Sequence, residues 1–287
     1  MPISSKSILF AIGITLFIPI KNSLADEQVL VCGESVPPFY YESDDTNQGQ
    51  KGTEGLNIDN FSLIAGITGL NFEFTILPWK RCLSSVEDYS TLGDPEIATN
   101  ATYSAERAEK FHFVGPVYAL SSALFYSRNQ FPDGPISKKN NEIISSVNEM
   151  KDYNICGLLG WNYEMYYTEH KIPRTVKITT TSAGYQGMFN MLSSGRCDVL
   201  NTNATNVLGD IIANELEMPQ DIACSKVERE PRNFYMMVSK NSPRAHELVT
   251  KLSTALAQLQ SKGEWKTYTD PGVLPVSEDT KALFQCM

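Results

Sequence analysis

Arg107 stands in a stretch whose side chains could grip a carboxylate. Between Ala98 and Tyr118 (ATNATYSAERAEKFHFVGPVY) it follows Thr99, Asn100 and Thr102. An apolar, proline-broken run comes next, Phe111, Phe113, Val114, Pro116 and Val117. Small hydroxyl and amide residues let a ligand approach the backbone, and a guanidinium offers a planar fork of donors that fits a carboxylate bidentately. A lone arginine on a loop is ordinarily just a solvated charge, so its surroundings must carry the argument. Catalytic chemistry is poorly provided for. His112, His170 and His246 are scattered, with no Ser-His-Asp or Cys-His arrangement, no H-E-x-x-H and no C-x-x-C. Neither a nucleophilic triad nor a zinc site is expected, and no cofactor. His112, on an apolar strand, reads as a core or rim residue.

The elements around this stretch belong to an exported α/β protein. Residues 1–25 have a basic Lys6, an apolar run Ile8–Ile20 and the small-residue end Ser23-Leu24-Ala25, the pattern of a leader cleaved after Ala25. A retained signal anchor is the alternative. Asp26, not cysteine, follows, so no lipid anchor is implied. A net charge of −9 and a pI near 5.0 argue against nucleic acid and anionic membrane surfaces as partners. All six cysteines, an even number, lie beyond the leader, which suits up to three disulfides. The expected pairs are Cys197 with Cys224 and Cys82 with Cys286. Cys32 and Cys156 fall on the first strands of separate units, and buried free thiols are an equal alternative for them.

Along the chain, Gln28–Gly33 reads as a buried strand. It ends in a loop, Glu34 to Tyr41, where Pro37-Pro38 forbids further ladder pairing. Residues 44–53 read as a polar surface turn. A helix over 55–70 has Leu56, Phe61, Ile64, Ala65 and Ile67 as its apolar stripe, and Gly69 as its stop. A strand over 71–77, a short helix over 83–89 and a strand over 96–99 complete a parallel unit. Residues 117–127 are extended and cross to a second unit with the same logic. Its strands are expected at 153–159, 176–179 and 197–201. Its helices are expected at 143–150, 163–169, 183–194 and 207–216. Extended segments at 224–228 and 234–239 lead back, and a long helix over 243–263 buries Leu248, Leu252, Ala255, Leu256 and Leu259. Two lobes joined by two crossings leave a cleft between them, a preferred place for a ligand.

These pieces together resemble the periplasmic solute-binding proteins of the amino-acid type, family 3, over nearly the whole chain beyond the leader. The resemblance is carried by Pro37-Pro38-Phe39, Ser104-Ala-Glu-Arg107 with Phe111 to Tyr118, Gly195-Arg-Cys-Asp-Val199, and Leu259…Gly263-Glu-Trp265. It implies a two-lobed clamp of the type 2 periplasmic-binding fold, each lobe a mainly parallel sheet flanked by helices. Lobe 1 is then 26–118 plus 235–287, and lobe 2 is 119–234. Arg107 matches the arginine that pairs with the ligand's α-carboxylate, with Asn100 and Thr102 beside it. Gly160-Trp161-Asn162 matches a second-lobe turn whose backbone N–H groups complete that site. Trp79 and the Phe39–Tyr41 group, Tyr40 included, match side-chain-pocket walls, with plain core packing as the alternative for the aromatics beside Pro-Pro.

Two positions depart from the family pattern. The aspartate that usually binds the ligand's α-amine falls at Asn203, and the aromatic that often stacks on the ligand falls at Val36. Glu34 is then the candidate for the missing negative charge, or else a solvated loop carboxylate. The resemblance implies a monomeric, non-enzymatic protein that closes on a small carboxylate-bearing solute and presents it to a membrane transporter permease. Two alternatives share the fold. One is a sensor module for a membrane receptor. The other is a dehydratase of the prephenate or arogenate type, for which Glu34 is the nameable acid.

Overall fold

The computed structural model describes residues 28–45, 50–90, 93–159, 161, 163–214, 216–227, 231–268 and 286. The leader expected at 1–25 lies outside them. Two five-stranded sheets carry the chain. The first is built from β1 (Gln28–Gly33), β4 (Asn71–Ile76), β5 (Ile97–Thr102), β6 (Phe111–Leu120) and β12 (Arg232–Ser239), in the order β4-β1-β5-β12-β6. The second is built from β7 (Ser122–Ser127), β8 (Ile155–Leu158), β9 (Ile178–Thr181), β10 (Val199–Asn203) and β11 (Ile222–Lys226), in the order β11-β7-β10-β8-β9.

Pairing directions show how the chain crosses. In the first sheet β12 runs against both neighbours, while β4, β1 and β5 are parallel. In the second, β7 runs against β10 and β11, and β10, β8 and β9 are parallel. The one reversed strand in each sheet is the first strand after a crossing, inserted into the middle of its new sheet. The boundaries expected at 118 and 235 fall inside β6 and β12. The change of sheet comes at Ser121, and on the return between β11 and β12.

Alternation sorts the cores. On β1, Val29 and Val31 enter a layer with Ile64 of α1 (Leu56–Thr68) and Leu252 and Leu256 of α7 (Ala245–Lys262). Cys32, the next residue after Val31 and so on the other side of the pleat, faces the opposite layer with Cys82 and Val86 of α2 (Trp79–Glu87). In the second sheet, Phe125, Cys156 and Leu200 meet α5 (Gly184–Ser193) and α6 (Ala204–Asn214). Their neighbours Leu124, Ile155 and Val199 meet Tyr166 of α4 (Glu164–Thr168). A period of two on strands buried on both faces demands this division. The long C-terminal helix buries the five residues expected of it and stops at Gly263, which takes the left-handed conformation of a C-cap. Beyond it, Trp265 donates its indole N–H to the Val117 carbonyl at 2.8 Å, tying the helix end to β6.

Several expectations need correction. Within the polar stretch expected as a turn over 44–53, the described residues 44–45 and 50–53 are strand: β2 (Tyr41–Asp45) pairs antiparallel with β3 (Gln50–Glu54), and residues 46–49 lie outside the described residues. Polar composition hid it, because a two-stranded ribbon needs no apolar face of its own length. The stripe of α1 is also wrong at one end. Ile67 is exposed, while Asn57 and Asn60 are buried. Asn60 earns that place by bonding both the carbonyl and the N–H of Lys266, at 3.0 Å each. The disulfides are Cys32–Cys82, Cys156–Cys197 and Cys224–Cys286. Each of the first two joins a strand to the chain segment packed on its face, with Cα atoms 5.7 and 5.4 Å apart, which spacing in sequence could not show. The third ties Cys286 to β11, so this part of the tail packs in the second sheet's core, not with lobe 1 as expected.

One buried ion pair closes the first sheet. Glu96, 2% exposed, accepts from Ser242 Oγ at 2.6 Å and from Arg244 Nε at 3.1 Å. Arg244 Nη2 also reaches the Gln28 carbonyl at 2.6 Å. Removing one member leaves an uncompensated buried charge, at a cost of about 3–5 kcal/mol. Arg244→Ala is therefore expected to lose that much in urea unfolding. The apolar double replacement Glu96→Leu with Arg244→Met should recover most of it.

Candidate functional site

The C-terminal ends of strands from both sheets meet across one cavity of about 340 Å³. From the first sheet come the loop 34–37 after β1, Trp79 after β4, and Asn100 and Thr102 at the end of β5. From the second come Leu158 and Trp161 after β8, Tyr185 after β9, and Asn201, Thr202 and Asn203 at the end of β10. Ligands gather outside the carboxyl ends of strands in open α/β sheets, because helix starts and loops converge there.

Arg107 belongs to α3 (Ala105–Lys110), a short turn whose N-cap Ser104 accepts from the Arg107 backbone N–H at 3.2 Å. That cap orients the turn so that Nη1 donates to the Thr102 carbonyl at 2.8 Å and to Thr102 Oγ1 at 3.1 Å. The guanidinium lies over the Trp79 ring, 5.4 Å from its centroid. Burial pushes its pKa down from the usual range, and Glu106 partly opposes this. No carboxylate pairs with it among the described residues, and Nη2 and Nε are spent on nothing there. A half-buried cation held from behind, with one edge unused, has the geometry to pair with an anion.

Asn100 adds a second donor. Its backbone is left-handed, with φ 61, a region that asparagine tolerates better than most residues. Its Oδ1 accepts from Asn57 Nδ2 at 2.6 Å and from the Tyr118 hydroxyl at 2.5 Å. Those two donors fix the amide, so Nδ2 faces the other way, buried and without a partner. Behind it, Tyr118 is stacked between Phe39, at 4.2 Å between centroids, and Phe234, at 5.0 Å. The aromatic stack is a stiff backing for the wall. Asn57 and Tyr118 were invisible to motif reasoning, because their part is to hold Asn100.

Glu34 lines the cavity, and burial raises its carboxyl pKa. Between the unfolded value near 4.5 and the higher folded value, the native state holds the extra proton, so stability falls as pH rises through that window. Glu34→Gln is expected to remove this fall and to raise the unliganded protein's thermal midpoint at neutral pH. An unchanged pH profile would contradict it.

The other expected residues divide. Trp161 and Asn203 line the same cavity, with Trp161 set edge-on to Tyr185 at 6.2 Å. Tyr40 does not. It is fully buried, its hydroxyl donating to the Thr75 carbonyl at 2.9 Å, and it is core. The Pro-Pro turn buries Tyr40 behind the loop and leaves Val36 and Pro37 on the wall. Gly160 and Asn162, expected to supply backbone donors, lie outside the described residues.

Sequence reasoning missed much of the opposite wall. Asn201, Asn206 and Asp210 line it, as does Arg232 from β12, whose guanidinium lies 3.7 Å from Glu169. The signal was the run Asn201-Thr-Asn-Ala-Thr-Asn206, which spans a strand end and a helix start. The lobes also touch directly. Gly209 of α6 faces the Pro37-Pro38 backbone so closely that a Cβ there would lie 2.3 Å from the Pro37 carbonyl carbon. No group of three or more His, Cys, Asp or Glu among the described residues could hold a metal ion. No helix among them is long and apolar enough to cross a membrane.

Fold and cavity define a two-lobed binding-protein architecture. Residues 29–153 match the family model of the bacterial extracellular solute-binding proteins, family 3. Over 83% of its length the chain shares the fold of a solved substrate-binding protein of an amino-acid ABC transporter, at 18% identity and TM-score 0.61. None of the curated proteins matches it by sequence. Among solved structures, it is similar to an ancestral arginine-binding protein bound to arginine, at 20% identity and TM-score 0.62, covering 83% of this chain and 94% of that one. An amino-acid ABC transporter substrate-binding protein of Streptococcus pneumoniae bound to L-arginine is similar at 18% identity and TM-score 0.61, with 83% and 91% covered. A histidine kinase sensor domain with similarity to periplasmic binding proteins has the same fold, at 18% identity and TM-score 0.64, with 83% and 92% covered.

Proposed function

We propose that this chain is an exported solute-binding protein that captures a small carboxylate-bearing solute, an amino acid or a related compound, between its two lobes. Its partner is the permease of an ABC-type transporter. The observation that carries the reading is the pair of unspent donors at one end of the cavity, Arg107 and Asn100 Nδ2. Three disulfides and the leader pattern at 1–25 support an oxidising, periplasmic setting. Lobe 1 is the first sheet with its helices, and lobe 2 is the second sheet with Cys286 attached. The family and the similar structures are binding proteins, which favours capture over catalysis. The sensor-domain neighbour keeps receptor signalling as the second reading, with the same site.

Two tryptophans on the wall, Trp79 and Trp161, make the test direct. Titration of the mature protein with a panel of L-amino acids and their amine-free analogues is expected to change tryptophan emission saturably for at least one carboxylate. A panel without any saturable response would overturn the reading.

A further inference from the structure

We infer that the loop carrying Glu34 and Pro37 is a proton-linked latch between the lobes. Glu34 takes up a proton as the lobes close, so mild acid favours the closed state and rising pH opens it. The device belongs to the lobes themselves and does not depend on which solute enters the cavity.

The loop is stiff. The Val36 N–H donates to the Tyr40 carbonyl at 2.6 Å and the Phe39 N–H to the Val36 carbonyl at 2.9 Å, while Phe39 and Tyr40 are fully buried. It therefore moves with the first sheet. Its Pro37 backbone meets Gly209 of α6, the contact so close that a Cβ at Gly209 has no room. Glu34, three residues before Pro37, lines the cavity and acts electrostatically on Tyr185 of α5, so its carboxylate is set against the second sheet's helices. Closing carries that carboxylate out of water. Among the described residues no charged or hydrogen-bonding group compensates it, and desolvation alone pushes its pKa up. A carboxylate buried without a partner holds its charge at a cost that protonation removes. Opening returns Glu34 to water and to its ordinary value near 4.5. Between that value and the higher closed-state one, closure binds a proton. The gain for closure is complete below the window and is lost as pH rises through it. The other charged groups on the cavity are Arg107 of α3, Asp210 of α6 and Arg232 of β12. Tyr118, Tyr163 and Tyr185 also border it, with burial pushing each pKa up, so they keep their protons across the range.

The test is small-angle X-ray scattering of the unliganded mature protein from about pH 8 down to about pH 5, above the ordinary carboxylate range. Far-ultraviolet circular dichroism confirms that the fold persists over the same span. Wild type is expected to become more compact as pH falls, its closed-to-open ratio rising by at most about tenfold per pH unit, the limit for one proton. Glu34→Gln is expected to keep one radius of gyration throughout, as small as that of acidified wild type. Asp210→Asn is expected to keep the pH response, which separates Glu34 from the other carboxylate on the cavity. Gly209→Ala is expected to lose the compaction, because the contact that closure makes is blocked. A wild-type radius that ignores pH, a response that survives in Glu34→Gln, or one that vanishes in Asp210→Asn overturns the inference. No ligand is added, so each of these outcomes leaves the Arg107 reading standing.

Discussion

Replacing Arg107 with alanine is expected to weaken binding of any carboxylate solute by at least about a hundredfold while leaving the fold intact. Truncating one partner of a buried, hydrogen-bonded charge pair costs about 2–5 kcal/mol, and roughly 2.7 kcal/mol is already a factor of a hundred. The guanidinium is anchored through Nη1 to Thr102 and backed by Trp79, so its free edge is set before the ligand arrives. Lysine should not rescue it, because an ammonium cannot offer two parallel donors from that position. Structure should survive, because α3 is capped by Ser104 and contains no buried residue. The check is a binding isotherm with a thermal unfolding curve. Undiminished affinity, or a midpoint that collapses, would contradict the assignment.

The second large effect is expected from Gly209→Ala. The new Cβ would lie 2.3 Å from the Pro37 carbonyl carbon and 2.4 Å from both its oxygen and the Pro38 nitrogen. Those are backbone atoms of the opposite lobe, so the overlap is relieved only by moving the lobes apart. A closed state raised by about 3 kcal/mol would lower apparent affinity roughly a hundredfold, since only the closed fraction binds well. Each lobe keeps its own core, so far-ultraviolet circular dichroism should not change. X-ray scattering should show wild type becoming more compact on adding a ligand that binds, and the variant staying extended. Gly66→Ala is the control. It sits in α1 with nothing within 4 Å of its Cβ position, and should be neutral or slightly stabilising. Equal losses in both variants would sink the interlobe explanation.

Arg107, Asn100, Thr102 and Trp79 were legible because each stands at or just beyond the end of a strand, and strand ends converge. Tyr40 was misread because Pro-Pro announces a turn without saying which neighbour faces inward. The disulfides were misread because pairing depends on which helix covers which sheet face, and that is a long-range choice. Asn201 and Asn206 were passed over because a neutral amide on a strand or in a first helical turn belongs to no motif, and only the folded cavity brings the two onto one wall. Gly209 gave no signal, since the need for a missing side chain exists only when the two lobes meet.

The central claim is that a ligand's carboxylate is held at Arg107 between the lobes, and thermal unfolding tests it most directly. Amino acids are compared with the amines left when the carboxyl group is removed, each at the same concentration. A ligand that binds only the native state raises the midpoint by mass action, worth about 2.7 kcal/mol at a hundred times Kd. The expected result is that at least one amino acid raises the midpoint and its decarboxylated partner does not, with the rise gone in Arg107→Ala. A decarboxylated amine that stabilises as well as its parent, or a rise that persists without Arg107, would contradict the account.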